Sequence, residues 1–157
     1  MKIKLIVVGK TKSKFLIEGE KVYSERLKHY CKFTEFIIPD VKNRGKLSTM
    51  ELKNIEGENI LSAINNSAEV ILLDENGSCF SSLDFSKFLN KKMLSYNKEL
   101  VFVVGGAFGF CDQVYKRSNS KLSLSKMTFS HQMIRLLFKE QLYRSHTILK
   151  GEKYHHE

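Results

Sequence analysis

A chain of 157 residues can enclose one hydrophobic core and is too short for two, so a single domain over residues 1–157 is expected. Its 42% hydrophobic and 27% charged residues, with one proline and nine glycines, exclude a disordered or collagen-like chain. Lysine and arginine (26) outnumber aspartate and glutamate (17), and the net charge of +9 favours a polyanionic partner, nucleic acid ahead of an acidic membrane surface.

The predicted elements alternate between strand and helix. Residues 2–8 form a β-branched run ended by Gly9 and read as a buried strand. After a basic loop, residues 15–30 repeat apolar side chains (Phe15, Leu16, Val22, Tyr23, Leu27, Tyr30) at helical spacing. Residues 32–38 read as a second strand closed by Pro39, and 40–46 as a mobile polar loop. Ser48 and Glu51 form a capping box for a helix carrying Leu52, Ile55, Ile60 and Ile64 despite Gly57. A third strand, 70–74, precedes turn chemistry at Asn76-Gly77. Ser81 or Ser82 then caps a helix burying Phe85, Phe88, Leu89 and Tyr96. Residues 100–104 are the most hydrophobic strand, followed by Gly105-Gly106-Ala107-Phe108-Gly109, a short helix near 112–116, a strand over 121–125 and a long helix over 132–150 stopped by Gly151. This order predicts an α/β fold with a mostly parallel sheet flanked by helices, whose ligand sites lie beyond the carboxyl ends of the strands.

No apolar run approaches the roughly 20 residues of a membrane helix, and the opening run lacks the form of a signal peptide. Cys31, Cys79 and Cys111 are widely spaced, so neither a disulfide framework nor a zinc site is indicated, and a cytoplasmic protein fits. Cys111 reads as a buried, inert thiol. Four of the five histidines, His131, His146, His155 and His156, lie near the end without a metal-binding spacing, so no metal is expected.

The glycine loop fits either a small-molecule site or a plain tight turn, and its order is not the G-x-G-x-x-G of dinucleotide sites. The alternating segment 122–129 reads by itself as a strand with one polar face. Glu140 and Arg144, four apart on the last helix, can pair, with Arg135 extending the same neighbourhood.

Several pieces occur together: Val8-Gly9-Lys10, Leu73-Asp74, the loop 105–109, Leu124-Ser125-Lys126-Met127-Thr128-Phe129 with His131, Glu140-Gln141-Leu142-Tyr143-Arg144, and the tail Gly151-Glu152-Lys153-Tyr154-His155-His156-Glu157. Over essentially its full length the chain thereby resembles the ribosomal RNA large-subunit methyltransferase H family of the SPOUT superfamily. The resemblance implies a C-terminal trefoil knot, a homodimer and S-adenosyl-L-methionine bound in the knot. It also implies methylation of N3 of a pseudouridine in 23S ribosomal RNA on the assembled ribosome. By the same resemblance Leu73, Gly105, Leu124, Ser125, Lys126, Met127, Thr128 and Phe129 contact the cofactor. Arg144, Tyr154 and His155 face the RNA nucleotide and Glu140 orients Arg144; of these, His155 is the first candidate for the base that takes the N3 proton. Ala107, Ser130 and Lys153 depart from residues common in the family. A noncatalytic ribosome- or RNA-binding module is the competing reading, and a nucleotide-binding oxidoreductase a weaker third. Lys10, Lys12, Lys14, Lys42, Arg44 and Lys46 read equally as phosphate contacts or as solvated loops.

Overall fold

Every residue of Leu100–Val104 is buried, and this strand sits at the centre of a five-stranded sheet. In a computed structural model, which describes residues 1–95 and 99–156, the chain runs β1 (Lys2–Val8), α1 (Lys14–Leu27), β2 (Lys32–Ile38), a 3-10 turn (Arg44–Lys46), α2 (Thr49–Ser62), β3 (Glu69–Cys79), α3 (Ser82–Ser95), β4 (Leu100–Val104), α4 (Asp112–Arg117), β5 (Ser120–Ser123) and α5 (Met133–Leu149). The sheet order is β2-β1-β4-β3-β5 with every pairing parallel. Side chains alternate across it. Ile3, Leu5, Val7, Phe102 and Val104 meet Leu27 of α1, Phe85 and Leu89 of α3 and Phe138 and Leu142 of α5. Ile6, Val8, Val101 and Val103 meet Ile60 of α2 and Val114 of α4 on the other face. Among the described residues, no helix is long and apolar enough to cross a membrane.

Several boundaries shift for physical reasons. Helix α1 ends at Leu27, and Phe15 and Val22, expected on its buried face, are 61% and 47% exposed. The buried stripe is instead Leu16, Glu20 and Leu27, because a cation from α5 meets Glu20. β3 does not stop before Asn76-Gly77 but continues to Cys79, with its register shifting between Leu73 and Ser78. A Cβ on Gly77 would lie 2.6 Å from the Leu122 backbone, so this glycine permits a close strand approach and not a chain reversal. Of the two candidate caps, Ser81 accepts the Asp84 N–H at 3.1 Å, while Ser82 is the first residue of α3. Tyr96 lies outside the described residues. β5 ends at Ser123, leaving 124–129 as irregular chain.

The capping box of α2 forms in full: Glu51 N–H donates to Ser48 Oγ at 3.1 Å and Ser48 N–H to Glu51 Oε2 at 2.7 Å. Gly57 is tolerated in this helix because Cys111 fills the space above it; a Cβ there would come within 2.2 Å of Cys111 Sγ. Gly57→Ala is expected to destabilise by about 1–3 kcal/mol through overpacking, despite its better helix propensity. In a Cys111→Ala background most of that cost should vanish, a coupling that denaturant melts of the double-mutant cycle would measure.

Two cations on α5 are almost fully buried. Lys139 Nζ lies 2.7 Å from Glu20 Oε2 and 3.0 Å from Glu35 Oε2. Arg135 does not join Glu140 and Arg144. Its guanidinium donates to the carbonyls of Val8 (2.6 Å), Gly9 (2.8 Å) and His131 (3.1 Å), clamping the start of α5 to the end of β1. Thr11 links the two cations, accepting from Arg135 at 3.2 Å and donating to Glu20 Oε1 at 2.7 Å.

His146, later on α5, is 5% exposed, stacks on Tyr30 at 5.6 Å between ring centroids and has an unpartnered Nε2. Burial, reinforced by the charges of Lys150 and the N-terminus, pushes its pKa down from 6.5 to about 4. The unfolded chain therefore takes up this proton at higher pH than the folded one, so the contribution is complete above pH 6.5 and is lost as pH falls toward 4. Melts across that window should lose about 3 kcal/mol from this group, and His146→Phe should flatten the slope.

Candidate functional site

The carboxyl ends of β4 and β5, with the part of β3 where its pairing with β4 stops, open onto a cleft of about 640 Å³. Parallel strands end with their carbonyls pointing outward, and the connections that leave them form the walls. Leu73, Val104 and Leu122 form the apolar floor, the loop from Gly105 to Phe110 one wall, and residues after β5 with Ile134 the other. The glycine loop closes on itself, with Gly109 N–H donating to Gly106 O at 3.1 Å and Gly109 at φ +78°. A Cβ on Gly106 would lie 2.5 Å from the Glu56 carboxylate, so a side chain there would have to displace that carboxylate.

The opposite wall is shaped by serines. Ser123 Oγ donates to Ser125 O at 2.8 Å and Ser125 Oγ accepts the Met127 N–H at 2.9 Å. Ser130 Oγ accepts the Met133 N–H at 3.2 Å, bracing the turn that leads into α5 with a side-chain bond that a proline there could not make. Burial and the neighbouring charges of Arg135 and Arg44 lower the His131 pKa from its ordinary value, leaving the ring neutral at pH 7. Beneath the rim, Tyr115 O–H donates to Asp74 Oδ2 at 2.5 Å while Asn76 N–H donates to Asp74 Oδ1 at 2.8 Å. Burial first, then that carboxylate, pushes the Tyr115 pKa up, so the phenol remains a donor.

Leu73, Gly105, Leu124, Ser125, Met127, Thr128 and Phe129 all line this cleft; Lys126 stands outside the wall, exposed. The cleft also holds groups that sequence reading does not assign to a site: Glu75, Asn76, Tyr115 and Ile134. They come from three different stretches of chain, β3, α4 and α5, and only the strand order brings them together.

Glu140, Arg144, Tyr154 and His155 assemble as a second cluster. Glu140 Oε1 accepts from Arg144 Nη2 (2.6 Å), Arg144 Nε (3.0 Å) and Tyr154 O–H (3.1 Å). The Arg144 guanidinium lies 4.6 Å from the Tyr154 ring centroid, and Nη1 reaches Tyr154 O at 3.4 Å and His155 Nδ1 at 3.3 Å. An imidazole facing an arginine accepts at Nδ1 and presents Nε2–H outward. Burial, Tyr23 and the Glu140 charge raise the Tyr154 pKa, so its hydroxyl stays protonated. None of these four residues lines the cleft. From Ile134 in its wall to Glu140 and Arg144, α5 advances six to ten residues, roughly 9–15 Å. Lys10, Lys12, Lys14, Lys42, Arg44 and Lys46 are exposed around the carboxyl ends of β1 and β2, on the same edge of the sheet as the cleft.

A family model described as predicted SPOUT methyltransferase matches residues 1–155. The chain is 56% identical over 156 residues to the ribosomal RNA large subunit methyltransferase H of Christiangramia forsetii, covering 99% of each chain. It is 54% identical over 157 residues to the proteins of that name from Parabacteroides distasonis and Flavobacterium johnsoniae, covering 100% of each chain. A solved structure described as a probable methylase family protein from Haemophilus influenzae superposes with a TM-score of 0.55 at 11% identity, over 99% of this chain and 70% of that one, a likeness of fold.

Proposed function

The chain belongs to the SPOUT methyltransferase family, and from that premise we propose that it methylates N3 of a pseudouridine in 23S ribosomal RNA on the assembled ribosome, in the cytoplasm, with S-adenosyl-L-methionine as donor. The observation that carries this reading is the glycine-walled cleft, which gathers seven of the eight residues expected at the cofactor: Leu73, Gly105, Leu124, Ser125, Met127, Thr128 and Phe129. Its volume falls within the range of small-molecule sites, and its apolar floor with exposed loop backbone suits an adenosyl group. S-adenosyl-L-methionine supplies an electrophilic methyl group.

The chain's own residues do the rest. Leu73, Leu124 and Ile134 would hold the donor's adenine by apolar contact, and backbone groups of 105–109 and 124–129 would supply its hydrogen bonds. N3 of the uracil ring must lose its proton and leaves negative charge on the flanking carbonyls, which Arg144 stabilises. Glu140 keeps the guanidinium in place, and Tyr154 packs on it and positions the base. His155 takes the N3 proton, which requires its ring to turn so that a free lone pair faces the substrate.

None of the four tail-cluster residues lines the cleft of its own protomer, which supports a homodimer in which the tail of one subunit completes the cleft of the other. Exposed apolar side chains around the cleft, Phe108 (52%), Met127 (75%) and Phe129 (42%), are available to be covered in that assembly. Mixed dimers of an Arg144→Ala subunit with a subunit disabled in the cleft should recover activity if the site is shared. The trefoil knot belongs to the same proposal: the chain leaves β5 at one edge of the sheet and reaches α5, pinned to the end of β1 beyond β3 and β4.

Equilibrium dialysis separates the readings: S-adenosyl-methionine alone should bind, whereas binding of a dinucleotide, or of neither, would favour the oxidoreductase or the noncatalytic module. Ribosome affinity should fall steeply with salt if the basic loops hold phosphates, each contact adding about 0.9 to the logarithmic slope; a flat response rejects those contacts.

A further inference from the structure

In a chain of net charge +9 the cleft is acidic. Its lining holds two carboxylates, Asp74 and Glu75, a neutral histidine and no lysine or arginine. Neither carboxylate forms an ion pair among the described residues. Asp74, midway along β3 and just past its pairing with β4, is fixed by Tyr115 O–H (2.5 Å) and Asn76 N–H (2.8 Å), bonds that hold its carboxylate at the wall. At physiological salt a charge is largely screened beyond about 8–10 Å, so the two carboxylates act most strongly on a ligand held against their own wall, while Arg135 and Arg44 act on the His131 side of the cleft.

Resting on the methyltransferase reading above, we propose that Asp74 and Glu75 make the cleft discriminate by charge between the methyl donor and its spent form. The donor carries a sulfonium, an ammonium and a carboxylate, net +1. When the methyl carbon bonds to N3, the carbon–sulfur bond breaks and its electron pair stays on sulfur, leaving a neutral thioether of net charge zero; the N3 proton goes to a base. Attraction to the two carboxylates is thus present before transfer and lost after it, which favours exchange of S-adenosyl-homocysteine for fresh donor. The same attraction acts on the donor in its ground state, so these residues govern affinity and product inhibition and do not drive the chemical step.

Calorimetry with three ligands tests this on the intact protein: S-adenosyl-methionine, S-adenosyl-homocysteine, and sinefungin, whose amine places a cation where the sulfonium sits. Asp74→Asn and, on the exposed rim, Glu75→Gln should each weaken the two cationic ligands by about three- to fivefold, the scale of a partly solvated ion pair. Binding of S-adenosyl-homocysteine should stay unchanged. Equal weakening of all three would mean that these side chains shape the cleft and do not read charge, overturning the inference. No change for either variant would overturn it as well, and Glu75→Gln keeps that result available if loss of the Tyr115 bond unfolds Asp74→Asn. Failure of every adenosyl ligand to bind the unaltered protein would instead defeat the methyltransferase reading, a separate outcome.

Discussion

Arg144→Ala is expected to slow methyl transfer about 10²–10³-fold while leaving donor affinity within about threefold, the loss typical when one donor to a developing oxyanion is removed. The expectation follows from geometry. Two nitrogens of the guanidinium are bound to a single oxygen of Glu140, at 2.6 and 3.0 Å, which leaves the Nη1 edge toward His155 and the tail. Arg144→Lys should recover little, because one ammonium cannot keep the fork on Glu140 and still present a second donor. Glu140→Gln should act through Arg144, with a smaller loss that arises in kcat. Single-turnover assays on ribosomes would separate these effects from binding. If Arg144→Ala lowered only ribosome affinity, the residue would be a phosphate contact and the assignment to catalysis would fail.

The largest stability effect is expected at Lys139. Its ammonium is 1% exposed and is the shared partner of Glu20 and Glu35. Lys139→Ala leaves two carboxylates facing each other, one of them buried, and a buried group stripped of its partner costs about 3–5 kcal/mol. For a chain of this length the melting temperature should drop by about 10 °C. Glu20→Gln combined with Lys139→Met should recover much of that loss, since removing both charges removes the need for compensation. A calorimetric drop of under about 2 °C for Lys139→Ala would show that water reaches the site and that the pair is not buried in solution.

The sheet was legible because its central strands, β1, β4 and the first half of β3, are buried on both faces. Runs such as Leu100–Val104 have no polar alternation, and the glycines, capping serines and Pro39 mark where they end. The apolar face of α1 was misread because Glu20 occupies a core position and Phe15 and Val22 do not; a pattern of hydrophobicity cannot show a cation arriving from a helix 119 residues away. Asn76-Gly77 carried the signature of a turn, yet the glycine serves the approach of β5, a contact specified only by the strand order.

The candidate site was legible only in part. Bare spacing left the glycine loop open between a turn and a pocket, and it was the resemblance of the whole chain that singled out 124–129 and the tail. Arg135 was grouped with Glu140 and Arg144 by its place on the same helix, but it points to the end of β1, where three carbonyls receive it. Asp74 and Tyr115 lie 41 residues apart and meet at 2.5 Å, a pairing that follows from the parallel placement of β3 beside the chain that leads through α4 into β5.

The most direct test of the function proposed is to incubate the protein with methyl-labelled S-adenosyl-methionine and ribosomes from a strain lacking the modification, with free RNA and separated subunits as controls, and to map the labelled nucleotide. The account predicts label on N3 of a 23S pseudouridine with assembled ribosomes alone. Tight ribosome binding without label, or label on another atom or on free RNA, would contradict it.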